Sequence, residues 1–146
     1  MIWKKNMTLP QLNETSRDNL AEHLGIEFVE LGKDYLKARM PVDNRTRQPE
    51  GRLHGGASVA LAETVGSISA WMCVHSETKT VVGLEINANH IRSISGGFVT
   101  AESRPLHLGK TTQIWEIKIL NEENKLVCVS RLTVANIDSP RHILQQ

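Results

Sequence analysis

The chain is short of the residues that mark several function classes. It has two cysteines in 146 residues, Cys73 and Cys128, with neither a CxxC pair nor a cysteine–histidine ligand spacing. A disulfide framework and a structural zinc site are therefore not expected, and two buried free thiols in a reducing compartment are. Neither sign of charge is in excess: 17 Lys plus Arg face 16 Asp plus Glu, a net +1. Such a balance gives no field to hold nucleic acid or an anionic membrane, so any anion site must be local. Behind Met1-Ile2-Trp3-Lys4-Lys5-Asn6 there is no apolar stretch with a small-residue cleavage site, and a cytoplasmic protein is expected. The six histidines show no HxxxH or HExxH spacing, which leaves no metal motif. No repeat, low-complexity segment or linker divides the chain. One domain is expected over residues 1–137, with a polar tail over 138–146.

What is present begins with an apolar stretch from Leu53 to Ser76 whose one formally charged side chain at neutral pH is Glu63. Its length is that of a membrane span, but two histidines, four serines and three glycines fit a buried helix of a water-soluble fold better. Ala57, Ala60, Leu61, Thr64, Val65, Ile68, Trp71 and Met72 recur at the spacing of one helical face, and Val59, Ala62, Ala70 and Val74 make the other side apolar too. A helix with no charged face must be covered on most sides. Upstream, Thr8 caps a short helix and a second short turn runs through Asn19 to Leu24 and stops at Gly25, both peripheral, and Ile26–Leu31 and Tyr35–Met40 read as a hairpin. Downstream, 80–93, 98–107, 111–120 and 125–136 are β-rich. In the first of these, Val82, Leu84, Ile86 and Ala88 alternate with polar or small residues, so that face is expected against the helix, with His90 and Arg92 near its end. The fold class is α+β: a long central helix wrapped by an antiparallel sheet of five or six strands.

The unpaired carboxylate of Glu63 needs a reason, because taking a lone charge out of water costs several kcal/mol unless its pKa rises or a partner meets it. A structural acid, paired with an arginine or capping a neighbouring segment, and a catalytic acid are both open. Gly55 and Gly56 open the helix where free N–H groups meet a backbone that a ligand approaches closely; they serve an oxyanion site or merely let the loop turn. His54 is a cap, an orienting group or a proton carrier. Thr64 and Ser67 are placed to hydrogen-bond Glu63 or a water. Glu63 lies eight residues beyond Gly55, about 12 Å along one helix. If both act on one carbonyl, Glu63 comes from a second subunit and the site requires a dimer. Gly56-Ala57-Ser58-Val59-Ala60 looks like a damaged nucleophile elbow, but the polar residues 45–50 before it cannot form the strand that an elbow needs. Arg92, Arg104, His107 and Lys110 surround the later turns, where cations can meet a phosphorylated ligand or simply face water.

Gln48-Pro49-Glu50-Gly51-Arg52-Leu53-His54-Gly55-Gly56, then Glu63 and antiparallel strands, resembles the hotdog-fold acyl-CoA thioesterases over nearly the whole chain. The likeness extends to 82–90, Val-Gly-Leu-Glu-Ile-Asn-Ala-Asn-His. The branch is that of the Arthrobacter-type 4-hydroxybenzoyl-CoA and phenylacetate-pathway thioesterases, with the 1,4-dihydroxy-2-naphthoyl-CoA and enterobactin-pathway proofreading thioesterases. The resemblance implies hydrolysis of acyl-CoA, aromatic or hydroxyaromatic, in a homodimer with shared active sites within a homotetramer, and no cofactor beyond the coenzyme A of the substrate. It implies that the Gly55 N–H polarises the carbonyl with Gln48 nearby, that His54 holds the loop, and that Glu63 of the facing subunit is nucleophile or base, aided by Thr64 and Ser67. Val82, Asn89, His90, Ile91 and Arg92, with Leu106, His107, Leu108, Gly109, Lys110 and Thr111, would contact substrate or coenzyme. The proline often found after the strand's arginine is missing here, since Ser93 follows Arg92. A hotdog dehydratase of 3-hydroxyacyl thioesters and a non-catalytic acyl-CoA binder are the alternatives.

Overall fold

The computed structural model describes residues 1–75 and 77–140. Thr8 opens α1 (Leu9–Glu14) through a capping box with Gln11, and Asn19 caps α2 (Leu20–His23), which gives way to Gly25 at φ +72°. The expected hairpin is β1 (Glu27–Leu31) and β2 (Leu36–Pro41). A loop over 42–52 leads into α3 (Gly55–Met72), shorter at both ends than the apolar stretch. At the helix end the Lys4 N–H donates to Met72 O at 2.8 Å, and the Lys5 ammonium donates to Trp71 O and, just past the helix, to Val74 O. Ser76 and residues 141–146 of the expected tail fall outside the described residues. The tail's first residue, Asp138, belongs to a strand and pairs with Lys79.

β3 (Lys79–His90), β4 (Phe98–Leu108), β5 (Thr112–Leu120) and β6 (Leu126–Asp138) complete a six-stranded sheet of order β1-β2-β4-β5-β6-β3, antiparallel throughout. It wraps α3 in the hotdog arrangement. Alternation divides the sheet cleanly. Leu36, Ala38, Met40, Val99, Ala101, Trp115, Ile117, Ile119, Leu132 and Val134 are buried towards the helix. Lys37, Arg39, Glu102 and Arg104 face outward in cross-strand ion pairs, among them Arg39–Glu27 at 2.9 Å and Lys37–Glu30 at 3.0 Å. Arg104 is committed to Glu102 and Asp34 and lies 4.4 Å from the Tyr35 ring centre, so it is not available to a ligand at the turns. Cys128 is buried and Cys73 is only half-buried; both are free thiols. Among the described residues no helix is long and apolar enough to cross a membrane.

Two packing expectations change. The deepest face of α3 includes Ser58, Gly66 and Ser69, while Ala60, Thr64, Ile68 and Trp71, expected on the covered face, remain partly exposed. Small residues go inward because the helix lies close to the sheet: a Cβ on Gly66 would fall 2.7 Å from Leu132 Cδ2 and 3.3 Å from Ile117 Cδ1. Ser69 satisfies its hydroxyl on Val65 O at 2.7 Å, which lets it be buried. In β3, a bulge between Gly83 and Glu85 breaks the alternation. Val82 and Leu84 are exposed as a result, and Val81, Ile86 and Ala88 pack on the core.

Gly66→Val should lower stability by about 1–3 kcal/mol, because added methyl groups force helix and sheet apart. Chemical denaturation with an unchanged m-value would read this as a packing loss.

Candidate active site

His54 precedes α3 with extended backbone, and its Nδ1 accepts the Gly56 N–H at 2.8 Å. The His54 carbonyl accepts the Ala57 N–H at 3.0 Å. Of the first three amides of the helix, only that of Gly55 has no acceptor among the described residues. Nδ1 as acceptor requires the neutral ring with its proton on Nε2. His54 is thus a cap, and it leaves one donor unspent at the positive end of the helix dipole.

Each of the two glycines has a histidine ring close beside it. Neither has a positive φ. A Cβ on Gly56 would stand 2.9 Å from His54 Nδ1, and one on Gly55 would stand 2.9 Å from the Nε2 of His90, at the end of β3. Gln48 turns its side-chain oxygen onto its own loop, accepting from the N–H groups of Glu50 and Arg52. Its amide NH2 keeps no acceptor among the described residues. Gln48, Gly55, Ser58, His90, Ile91 and Arg92 line one cavity of about 320 Å³. Two residues with an unspent donor therefore line one cavity, and donors of this kind can stabilise a developing oxyanion. Arg92 also borders the neighbouring cavity, and its guanidinium is in no ion pair among the described residues.

Glu63 is elsewhere. With Thr64, Ser67 and Ile68 it lines a separate pocket of about 300 Å³, closed on the other side by Thr15, Ser16, Asn19, Leu20 and Ala21. The segment between the two short helices and the start of α2, expected to be peripheral, together form a wall of this pocket, with Leu20 61% exposed there. Burial pushes the Glu63 carboxyl above its ordinary pKa, opposed by a hydrogen bond from Ser67. Thr64 donates its hydroxyl to Ala60 O at 2.7 Å, which leaves the oxygen free to accept. No arginine or lysine pairs with Glu63 among the described residues.

The remaining candidates divide by location. Asn89, His90, Ile91 and Arg92 follow β3 to the Gly55 end of α3. Leu106, His107 and Leu108 end β4, and Gly109, Lys110 and Thr111 form the turn to β5, whose carbonyls at Gly109 and Lys110 accept from Asn136 Nδ2 at 3.0 and 3.2 Å. Gln113 in turn holds Asn136 at 2.8 Å. This turn shares a cavity of about 460 Å³ with Lys4 and Cys73, the residue ending α3. The 18-residue helix is about 27 Å long, so Arg92 and Lys110 of one subunit stand at opposite ends. Val82, on the exposed side of β3, lines neither cavity.

Residues 50–128, more than half of the chain, match the model of the thioesterase superfamily. The 1,4-dihydroxy-2-naphthoyl-CoA hydrolase of Escherichia coli is 53% identical over 135 residues, covering 92% of this chain and 98% of its own. The proofreading thioesterase EntH of Cronobacter turicensis matches at the same identity and coverage. The crystal structure of a thioesterase from Haemophilus influenzae superposes with a TM-score of 0.94 at 53% identity, over 97% of this chain and 99% of that one.

Two outcomes are expected of the site residues. His54→Ala should lower stability by about 1 kcal/mol, and His54→Asn, which restores a cap acceptor, should recover most of it in thermal unfolding. The raised pKa of Glu63 means that the folded state holds its proton to higher pH than the unfolded chain does, so stability falls as pH rises through the window between the two values. Glu63→Gln should therefore melt above the parent at neutral pH and level with it near pH 4 or below.

Proposed function

We propose, since the chain belongs to the thioesterase superfamily and is a hotdog thioester hydrolase, that it cleaves aromatic or hydroxyaromatic acyl-CoA at a site shared by two subunits. The observation that carries this reading is the separation of the parts. The unspent Gly55 and Gln48 donors face one cavity, while the burial-perturbed Glu63 lines another about 12 Å along the same helix. One subunit cannot apply both to one carbonyl.

The edge of the sheet suggests how two do. β3 is an edge strand, with Val82 and Leu84 exposed along it and Ile91 exposed just past its end. Exposed apolar groups on an unpaired edge favour association with another strand. Glu63 stands over Gly83 in the middle of β3, and His90 with Gly55 marks its end. Antiparallel pairing along this edge brings the middle of one strand towards the end of the other. In such a dimer the Gly55 N–H and Gln48 amide stabilise the thioester oxygen of one site. Glu63 of the partner subunit attacks the carbonyl carbon or takes a proton from the attacking water, and the bond to sulfur breaks to release coenzyme A thiolate. Ser67 orients the carboxylate and Thr64 offers an acceptor for the water. His54 acts by keeping the Gly55 donor free.

The pocket around Glu63 sets Leu20, Ala21 and Ile68 against the hydroxyls of Thr15, Ser16 and Thr64, which suits a flat ring bearing hydroxyl groups. The named substrate of the Escherichia coli relative is of that class. Val82, Asn89, His90, Ile91 and Arg92 attend the pantetheine arm and the acyl group. The 106–111 turn with Lys110 meets the nucleotide from another subunit, within a homotetramer. Residues 1–137 act as one domain, and no cofactor is invoked beyond the coenzyme A of the substrate. The two free thiols support a cytoplasmic setting, without nucleic acid or membrane as partner.

Glu63→Ala and Gln48→Ala should each remove most thiol release from a hydroxybenzoyl- or naphthoyl-CoA while leaving the fold intact. Mixed after subunit exchange, the two inactive variants should recover about one quarter of the parent's activity, because half of the dimers are hybrids with one intact site of two. A mixture that exchanges subunits and stays inactive rules out the shared site.

A further inference from the structure

β3 contains one glycine, Gly83, and the backbone does not ask for it. Its φ lies outside the left-handed region that Gly25, Gly51 and Gly97 occupy. The neighbouring bulge, where Leu84 is the extra residue between Gly83↔Val134 and Glu85↔Thr133, therefore lacks the positive-φ glycine that one bulge type needs. Glycine inside a strand is otherwise a loss, since it packs nothing and orders a freer chain. A side chain here has a single obstacle. A Cβ built on Gly83 falls 2.7 Å from Glu63 Oε1 and 3.8 Å from its Cδ, and meets nothing else within 4 Å. The strand is bare under the carboxylate and nowhere else along β3.

We propose that Gly83 is a positioning residue: its missing side chain is the floor on which the Glu63 carboxylate rests, at the sheet edge and facing the substrate of the adjoining subunit. The inference depends on Glu63 acting at the thioester as read above. A methyl group at 83 leaves the carboxylate two options, to swing up and away or to push α3 off the sheet. The first is open because Oε1 is the far end of a flexible side chain, whereas α3 is packed through Gly66 against Leu132 and Ile117. Ser67, one turn on, then loses its hydrogen bond as the acid moves.

Gly83→Ala tests this in the full-length protein. Its melting temperature should equal or exceed the parent's, because alanine narrows the unfolded ensemble at a position whose φ it tolerates. Its kcat for acyl-CoA hydrolysis should fall by about 10-fold to 100-fold, the range expected when a reacting group is misplaced by an ångström or less, while KM changes by no more than about twofold. A crystal structure of the variant should show the Glu63 carboxylate displaced and the course of β3 unchanged. A folded variant with parental kcat, or one with the carboxylate in its original place, overturns the proposal. So does a variant that fails to fold, since the strand would then need its glycine for itself. Glu63→Gln separates the two levels. If it retains parental kcat, the catalytic reading of Glu63 fails, and Gly83 with it. If it is inactive while Gly83→Ala is fully active, only the role of Gly83 fails.

Discussion

Helix α3 has no charged face to give to water, so the rest of the chain must cover it, and each gap in the cover is a place where a polar group of the helix meets something other than its own chain. The sheet takes one side through Gly66 and the small inward residues, with Trp115, Ile117 and Leu132 filling the space between. The amino-terminal segment closes the far end, the Lys5 side chain and the Lys4 amide taking the last carbonyls. Burial of apolar area favours all of this at roughly 25 cal/mol per Å² and sets no direction. Direction comes from the ends and edges, where hydrogen bonds must find partners.

At the opening end, that accounting leaves a remainder with chemical value. His54 serves the second amide with its ring and the third with its carbonyl, so the first is left for a ligand. Gln48 likewise spends its oxygen on its own loop and keeps its NH2. Donors fixed by local bonds need no reorganisation when charge develops on a substrate oxygen, which is the source of oxyanion stabilisation in a dry site. Glycine has the same logic throughout. Gly55, Gly56, Gly66 and Gly83 have no positive φ, and at each a Cβ would stand within 3 Å of a neighbouring side chain: His90, His54, Leu132 and Glu63 in turn. The conformational freedom of glycine matters at Gly25, which ends α2, and contributes nothing at these four.

Much of the fold was legible because its signals are local. Thr8 caps α1 as its side chain dictates, the hairpin turns where Gly32 and Asp34 allow, and the later strands begin and end within a few residues of their polar breaks. Strand β3 was misread because its alternation of Val82, Leu84, Ile86 and Ala88 is regular in sequence, while a bulge at Leu84 shifts the phase in space. A bulge is decided by what β6 offers opposite, some fifty residues away. The segment from Thr15 to Ala21 looked peripheral for the same reason: nothing in its own sequence reveals that it lies across from Glu63.

From the sequence by itself come the single wrapped helix, the six candidate strands, the anomalous acid and the spacing that separates it from Gly55, because periodicity, capping and helical rise are properties of neighbouring residues. The tertiary structure alone decided the strand order with β3 at an edge, the commitment of Arg104 to Glu102 and Asp34, and the opposite ends assigned to Arg92 and Lys110. It also decided which amide at the start of α3 stays free and what lies on each glycine. Those outcomes depend on hydrogen-bond and steric partners brought together from distant parts of the chain, and no local pattern encodes a partner that the fold has yet to supply.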